Sequence, residues 1–379
     1  MSRCPEFFGI GPELAHRQAA SRKLQNQMNA IFDRCFAFMD RLKRIHPVLP
    51  WLVTLVLLLP LPHIAWNNYQ VYLINYIFIM IILATGLNIV KGFCGQVTVG
   101  HVALYAIGAY TSAVLSTKFG VPFWFCLPLA VLATMLAGVL VGIPSFRLEG
   151  AYLALATLGF AQAVETYIRV TNYLGSASGI GGIKPPVFFG ITLNTYTSYY
   201  YLILPIMLFA LYASFAILRS ATGRAFMAVR EDPLSAAATG VNVMRYKLLA
   251  FVLSAVYAGV AGSLYAHMLP GYVHPNNFTV IEMVTVLLMV VLGGIGNVWG
   301  GIIGAIIVSI VAELTRDYYF YQLLLFGLVI VFTVLFMPKG IGGIIERYFV
   351  SRRFVIAREA TAQRKRDEVA DMAGQEDRA

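Results

Sequence analysis

The segment QVYLINYIFIMIILATGLNIV, residues 70–90, decides the fold class, because it runs for 21 positions without a charged side chain. About 20 such residues form a helix that crosses the hydrocarbon core of a bilayer. Nine more apolar segments lie along the chain, so the sequence predicts an all-α, polytopic membrane bundle of about ten transmembrane helices. The ten predicted spans are residues 48–66, 70–90, 99–117, 122–143, 151–170, 199–218, 246–267, 279–292, 298–314 and 320–336.

The composition of the whole chain agrees with that fold class. Charged residues make up 12% of the chain and hydrophobic residues 59%, whereas soluble domains carry about 25% charged residues. The net charge is +10, but the basic residues lie in short loops and form no basic face interleaved with aromatic residues. The sequence therefore argues against a nucleic-acid partner and for the lipid bilayer as the surroundings of the chain.

The basic residues also predict an orientation. With a cytoplasmic N-terminus, the inner side holds the basic loop 219–247, and the outer side holds only Lys118, Arg169, Lys184 and Arg316 among the segments between spans. Cytoplasmic loops carry an excess of lysine and arginine. An even number of spans then places both termini in the cytoplasm.

Three regions follow from this arrangement. Residues 1–47 contain a basic amphipathic helical pattern, which suits either the membrane surface or packing against the bundle. Residues 48–345 form the transmembrane domain, and residues 346–379 form a charged cytoplasmic tail. The four cysteines show no metal-ligand spacing, which favours burial over a disulfide framework.

The inner loop 219–247 contains a predicted short helix. Asp232 suits the N-cap, Pro233 suits the first helical position, and Gly240 suits the residue after the C-cap. We therefore expect a helix from Pro233 to Thr239 outside the bilayer. Such a helix is either a solvated connector or an element that docks on a partner.

Two glycine-rich turns have related sequences, GFCGQVTVGH at 92–101 and GGIGNVWGG at 293–301. Each places glycine, an amide side chain and valine before a helix, which suggests a weak internal repeat. Interrupted helices near the pathway are common in transporters, but small residues also simply let helices pack closely. Residues predicted on these grounds for a translocation path or hinge are Gly95, Gln96, Gly100, His101, Gly293, Gly294 and Gly296.

Ionisable side chains within predicted spans are candidates for function because they are costly in a bilayer. Glu165, His267, Glu282 and Glu313 lie near predicted helix ends, so we expect each at the membrane interface. His101 with Gln96 is the better pair for lining a pathway. The sequence predicts no catalytic residue, no cofactor and no metal site. It also lacks a phosphate-binding Gly-x-x-x-x-Gly-Lys-Ser/Thr segment, so an ATPase would be a separate polypeptide.

The sequence resembles the branched-chain amino acid permease family, and within it the M subunit of the Liv-type system. The inner loop carries the resemblance in Arg230–Asp232, Ala236–Ala237, Gly240–Val243 and Lys247–Phe251, where Ala236, Ala237 and Gly240 are similar to the "EAA" loop of ABC importer permeases. Further matches lie at 100–103, 108–110, 148–154, 157–160, 179–183 and 291–296. ATPase coupling would then involve Gly223, Arg224, Arg230, Glu231, Asp232, Ala236, Ala237 and Gly240.

This resemblance implies a fold like that of the large-bundle importer permeases and a location in the bacterial inner membrane. It implies a second homologous permease subunit, two ATP-binding subunits and a periplasmic substrate-binding protein that delivers branched-chain amino acids. The residues from Gly175 to Pro186 are a plausible contact for the binding protein. A urea or amide importer permease remains an alternative, as does a secondary transporter or channel.

Overall fold

The computed structural model describes residues 49–64, 67–188, 190–337 and 340–343. The predicted N-terminal segment, the charged tail, Cys4 and Cys35 lie outside the described residues. The chain divides into two units, Met1–Leu61 and Pro62–Ala379, and the helical bundle belongs to the second unit.

Helices overlap all ten segments that the sequence predicts to be spans, which confirms the all-α class. A short β-hairpin joins Val187–Phe188 (β1) to Ile191–Thr192 (β2). A π-helix, Asn88–Phe93, extends α3, and short 3-10 turns join several helices. The helices are α1 Leu49–Leu58, α2 Leu61–Ile64, α3 Asn68–Leu87, α4 His101–Lys118, α5 Phe123–Gly142, α6 Gly150–Val170, α7 Tyr196–Arg219, α8 Ala221–Glu231, α9 Pro233–Ala238, α10 Val243–His267, α11 Val280–Gly293, α12 Val298–Leu314 and α13 Tyr319–Phe336.

Four helical stretches are long and apolar enough to cross a membrane by length and composition. They are Asn68–Phe93, Phe123–Phe146, Tyr196–Arg219 and Val243–His267. Other apolar helices, among them α11 and α12, are shorter. At 1.5 Å per residue, the 14 residues of α11 reach about 21 Å, which is less than the hydrocarbon core of about 30 Å.

Helix α10 packs against α4 and α5 at the centre of the bundle, and small residues allow the close approach. A Cβ atom on Gly262 would lie 2.5 Å from the backbone oxygen of Tyr105. A Cβ atom on Gly138 would lie 2.5 Å from the Cβ of Ala255. Close contact between small residues stabilises helix pairs in a membrane, where burial of apolar surface gives little driving force.

Helices α11 and α12 form a tight helical hairpin. A Cβ atom on Gly293 would lie 2.0 Å from the backbone oxygen of Gly300, and one on Gly304 would lie 1.9 Å from that of Met289. In the sequence, the corresponding predicted spans 279–292 and 298–314 are both short and meet at glycines. They are two separate helices that pack along each other and are joined by residues 294–297.

The outer loop between α6 and α7 is tied to the loop between α10 and α11. Ile180 and Val273 exchange two backbone hydrogen bonds of 2.9 Å each. Lys118 donates to the backbone oxygen of Tyr173 at 2.6 Å, and its ammonium lies 3.4 Å from the centre of that ring. The predicted contact segment for a binding protein is therefore held by backbone pairing to the rest of the chain.

His267, which the sequence predicts near the membrane interface, is buried among helices. Its side chain is 1% exposed, and its Nδ1 atom lies 3.3 Å from the hydroxyl of Ser112 and 3.0 Å from the backbone oxygen of Ser263. Phe123 packs edge-on against its ring. The imidazole is thus enclosed between α4, α5 and α10. Cys94 and Cys126 are free and buried, as the sequence predicted for cysteines.

Candidate coupling site

The inner loop is almost entirely helical, and the sequence missed its first helix. Ser220 caps α8 by accepting a hydrogen bond from the amide of Thr222 at 3.2 Å. Phe226 is fully buried and packs edge-on against Tyr246 of α10. A Cβ atom on Gly223 would lie 2.2 Å from the backbone oxygen of Leu218, so this glycine allows the sharp turn from α7 into α8.

The predicted short helix is present as α9, which ends at Ala238 with Thr239 as its C-cap. Asp232 is its N-cap and accepts hydrogen bonds from the Leu234 amide at 2.9 Å and the Ser235 hydroxyl at 2.6 Å. The Ser235 hydroxyl, followed by the backbone amides, holds the pKa of Asp232 below its ordinary value. Gly240 follows the helix with a φ of +87°, the left-handed conformation that glycine adopts without strain.

The small residues of α9 point in two directions. Ala236 is 4% exposed, whereas Ala237 and Ala238 are exposed. Leu234 is 82% exposed, and the sequence did not single it out. An apolar side chain directly after Asp-Pro on a loop helix is the signal that could have identified it. The exposed surface of α9 is therefore formed by Leu234, Ala237 and Ala238, which are apolar, together with the hydroxyl-bearing Ser235.

Arg230 connects this loop to the two glycine-rich turns. Its guanidinium donates a hydrogen bond of 2.5 Å from Nη1 to the backbone oxygen of Gly92. Gly92 lies in the π-helix that extends α3. A Cβ atom on Gly296 would lie 2.3 Å from the same Nη1 atom, and one on Gly95 would lie 3.0 Å from Cγ of Arg230. Gly95 and Gly296 both have positive φ, +74° and +83°.

The two turns also contact each other. A Cβ atom on Gly92 would lie 2.6 Å from the backbone nitrogen of Gly296. The side chain of Asn88 accepts from that nitrogen at 3.0 Å and donates to the backbone oxygen of Asn297 at 2.9 Å. Asn88 is 1% exposed. Sequence reasoning missed Asn88, although an amide in the last turn of an uncharged span is unusual enough to mark it.

Residues 340–343 cover the second turn. A Cβ atom on Gly340 would lie 2.5 Å from Cα of Gly294, and one on Gly342 would lie 2.7 Å from Cα of Gly300. The side chain of Asn297 lies 3.5 Å from the backbone oxygen of Gly342 and caps α12 by accepting from the Gly300 amide at 3.3 Å. The turn is therefore enclosed by backbone on two sides.

The other predicted path residues lie apart from Arg230. His101 is 2% exposed, and its Nε2 lies 3.1 Å from the backbone oxygen of Leu83 while its Nδ1 lies 3.0 Å from the hydroxyl of Ser254. The carbonyl can only accept, so Nε2 carries the proton and Nδ1 accepts from Ser254. His101 thus links α3, α4 and α10.

Gln96 and Gly100 contact other residues than His101 does. The amide of Gln96 lies 3.4 Å from the backbone oxygen of Cys94, and within the described residues no hydrogen bond joins Gln96 to His101. A Cβ atom on Gly100 would lie 2.5 Å from the backbone oxygen of Thr157, so Gly100 allows α4 to begin against α6. Arg224 stays local, with Nη1 3.4 Å from the backbone oxygen of Arg219, and Glu231 is exposed.

Comparison with known proteins shows the family of the chain. Residues 69–334 match the family model of the permease component of branched-chain amino acid transport systems. The chain belongs to this family. Its sequence is 37% identical over 287 residues to the high-affinity branched-chain amino acid transport system permease protein LivM of Salmonella typhimurium. The identity to LivM of Escherichia coli is the same, and each match covers 69% of this chain and 67% of the relative.

A relative with a different name, LivH, is similar to this chain at lower sequence identity. The high-affinity branched-chain amino acid transport system permease protein LivH of Salmonella typhimurium is 26% identical over 285 residues, covering 69% of this chain and 90% of the relative. No solved structure matches the chain. The matched region includes α3 through most of α13, and so contains the Arg230 contact.

Proposed function

We propose that the chain is the membrane-spanning permease subunit of an ATP-driven importer of branched-chain amino acids, and that Arg230 transmits the movement of a separate ATPase to the bundle. The observation that carries this proposal is the hydrogen bond from Arg230 to the backbone of Gly92, beside Gly296. A single side chain at the end of α8 thereby contacts the turns that follow both α3 and α11.

The exposed face of α9 is the proposed docking surface for the ATPase. Leu234, Ala237 and Ala238 give it a small apolar surface, and Asp232 fixes the start of the helix. Two ATP-binding subunits would press on α9 of two permeases when they close on ATP. Because Phe226 anchors α8 in the bundle, displacement of α9 reaches Arg230 through α8.

Helix α6 is the proposed face for a second, homologous permease subunit. It packs against α4 along one face, while Gln162 and Thr166 are exposed on its other side near the Glu165–Arg169 ion pair of 2.9 Å. Polar side chains in a span favour protein or a water-filled path over lipid tails. A second permease placed there would enclose a pathway between the two copies.

The remaining parts of the proposal concern location and delivery. The chain would lie in the bacterial inner membrane with both termini in the cytoplasm. A periplasmic binding protein would deliver the solute to the outer loops near Gly175 and Pro186, which are held by the pairing of Ile180 with Val273. The names of the relatives support branched-chain amino acids as the cargo.

The test is leucine uptake into cells that express the chain with the second permease, the ATPases and the binding protein. Uptake of radiolabelled leucine is expected to fall to background when the catalytic glutamate of the ATPase is replaced by glutamine. Expression of the permease in the membrane is measured in parallel. Uptake that continues at the original rate would contradict an ATP-driven mechanism, and uptake of urea but not leucine would contradict the cargo.

A further inference from the structure

A polar cavity lies at the end of the bundle that the charge pattern predicts to be external. It has a volume of about 280 Å³ and is bordered by residues from α3, α4, α10, α11 and α12. Ligand pockets for drug-sized molecules span roughly 300–1,000 Å³, so this cavity suits a small solute. Four tyrosines and two carboxylates stand out in its lining: Tyr72, Tyr76, Tyr105, Tyr265, Glu282 and Glu313.

Of the two carboxylates, Glu313 pairs with Arg316 at 3.4 Å, and Glu282 is the candidate partner for a ligand. It lies in the first turn of α11, is half-buried, and accepts a hydrogen bond of 3.2 Å from the hydroxyl of Tyr76. Among the residues that the structure describes, no lysine, arginine or histidine forms an ion pair with it. Even partial burial costs a carboxylate some of its hydration when no cation pairs with it, and the helix N-terminus offsets part of that cost.

The aromatic residues around Glu282 form an arrangement that suits a cation. The rings of Tyr105 and Tyr265 lie 5.5 Å apart, and the side-chain amide of Asn277 donates to the hydroxyl of Tyr265. The faces of tyrosine rings attract ammonium groups, most strongly where water is excluded. A carboxylate beside such rings therefore favours a primary ammonium group.

Two buried hydroxyls in the same lining have no hydrogen-bond partner among the residues that the structure describes. They are the hydroxyls of Tyr105 and Ser309, whose residues are each 1% exposed. Buried polar groups nearly always have partners, so these two hydroxyls provide a second, independent indication that a polar ligand occupies the cavity.

We propose that this cavity binds the ammonium group of the transported solute, with Glu282 as the counter-ion, the tyrosines as the surrounding cage, and the Tyr105 and Ser309 hydroxyls as further contacts. This rests on the proposed import function only for the identity of the solute. Arg316 also lines the cavity but already pairs with Glu313 at 3.4 Å, so the proposed recognition concerns the ammonium group and not the carboxylate of the solute.

The test compares three molecules of one shape on the full chain in lipid nanodiscs. Leucine carries both charged groups, 3-methylbutylamine lacks the carboxylate, and 4-methylpentanoate lacks the ammonium. Ligand-detected NMR titration gives the dissociation constant of each. We expect leucine and the amine to bind about tenfold or more tightly than the acid, because a hydrogen-bonded charge pair accounts for a difference in affinity of that size.

Variants locate the binding in the cavity. Glu282→Gln is expected to weaken binding of 3-methylbutylamine about tenfold or more, and Ser309→Ala to weaken it a few-fold. Glu149→Gln, which removes a carboxylate at the opposite end of the bundle where Glu149 pairs with Lys247 at 2.6 Å, is the matched control and should leave binding unchanged. If Glu282→Gln does not fold, the comparison of the three molecules on the unaltered chain still tests whether the protein prefers a ligand with an ammonium group.

Two results would overturn the inference: 4-methylpentanoate binding as tightly as the amine, or a folded Glu282→Gln chain that keeps its affinity. The inference would also be overturned if neither leucine nor 3-methylbutylamine bound at millimolar concentration. ATP-dependent leucine uptake alongside such a result would leave the proposed function standing. Amine binding that depends on Glu282 without ATP-dependent uptake would support the cavity and contradict the import function.

Discussion

At the predicted cytoplasmic end of the bundle, a Cβ atom on Gly92 would lie 2.6 Å from the backbone of Gly296, whereas at the other end tyrosines surround a cavity of about 280 Å³. The first region is built from backbone in direct contact, and the second from large side chains around an open space. Close-packed backbone transmits displacement because it has no room to absorb it. A cavity with unpaired polar groups instead accommodates a ligand. Substitutions at the two ends should therefore have different effects.

The largest effect is expected from closing the space between the two turns. Gly92→Ala places a methyl group against the backbone nitrogen of Gly296 and the side chain of Asn88. Overpacking of this kind costs about 1–3 kcal/mol, and neither helix end can shift without moving α3 or α11. We expect leucine uptake to fall more than tenfold, together with the yield of folded protein.

The matched control for that substitution is Gly327→Ala. Gly327 lies within α13, and a Cβ atom there would meet no atom of the described part of the chain within 4 Å. Alanine is also a better helix former than glycine, so uptake and yield should stay unchanged. Equal losses in the two variants would show that the contact between the turns has no special importance.

A smaller effect is expected from Asn88→Ala, which removes both hydrogen bonds from α3 to the second turn. A buried donor or acceptor left unpaired costs about 1–3 kcal/mol, and this change leaves one of each. Thermal unfolding in detergent should shift to lower temperature. Asn194→Ala in the outer loop, where the exposed amide reaches only Thr192, should show no shift.

The smallest effect is expected from the cap of α9. The pKa of Asp232 is held below its ordinary value of about 3.9 by the Ser235 hydroxyl and the backbone amides. A carboxylate with a lowered pKa stabilises the folded helix above its unfolded pKa, and that contribution disappears as the pH falls through the folded pKa. The protection of the α9 amides against hydrogen exchange, measured relative to the intrinsic exchange rate at each pH, should fall below about pH 4.

Asp232→Asn is the control for that pH dependence, because asparagine keeps a capping oxygen but does not titrate. The loss of protection at low pH should be absent in this variant. The same loss in Asp232→Asn would assign the effect to other groups.

Periodicity and hydropathy were enough to predict the helical class and a helix within each of the ten apolar segments, because transmembrane segments must be apolar over a known length. The cap of α9 was also predictable, since Asp232, Pro233 and Gly240 each act through local backbone geometry. The contact from Arg230 to Gly92 was not, because it joins positions 138 residues apart. Only the packing of α3, α8 and α11 brings them together.

The cavity was hidden for a related reason. Glu282 was expected at the membrane interface, because it is near a helix end and a long side chain can reach water from there. Its actual surroundings depend on Tyr76 and Tyr105, which come from α3 and α4. Tyrosine in a span is ordinary in sequence, so only the fold shows that four tyrosines line the same cavity as Glu282.

The most direct test of the account is the ratio of leucine imported to ATP hydrolysed, measured with the complete importer in proteoliposomes. Arg230→Ala removes a charge-assisted hydrogen bond worth about 1.5–3 kcal/mol, so the ratio should fall about tenfold or more while ATP hydrolysis continues. Arg245→Ala, an exposed arginine at the start of α10, should keep the original ratio. An unchanged ratio in Arg230→Ala, or an equal fall in both variants, would contradict the role of Arg230 in coupling.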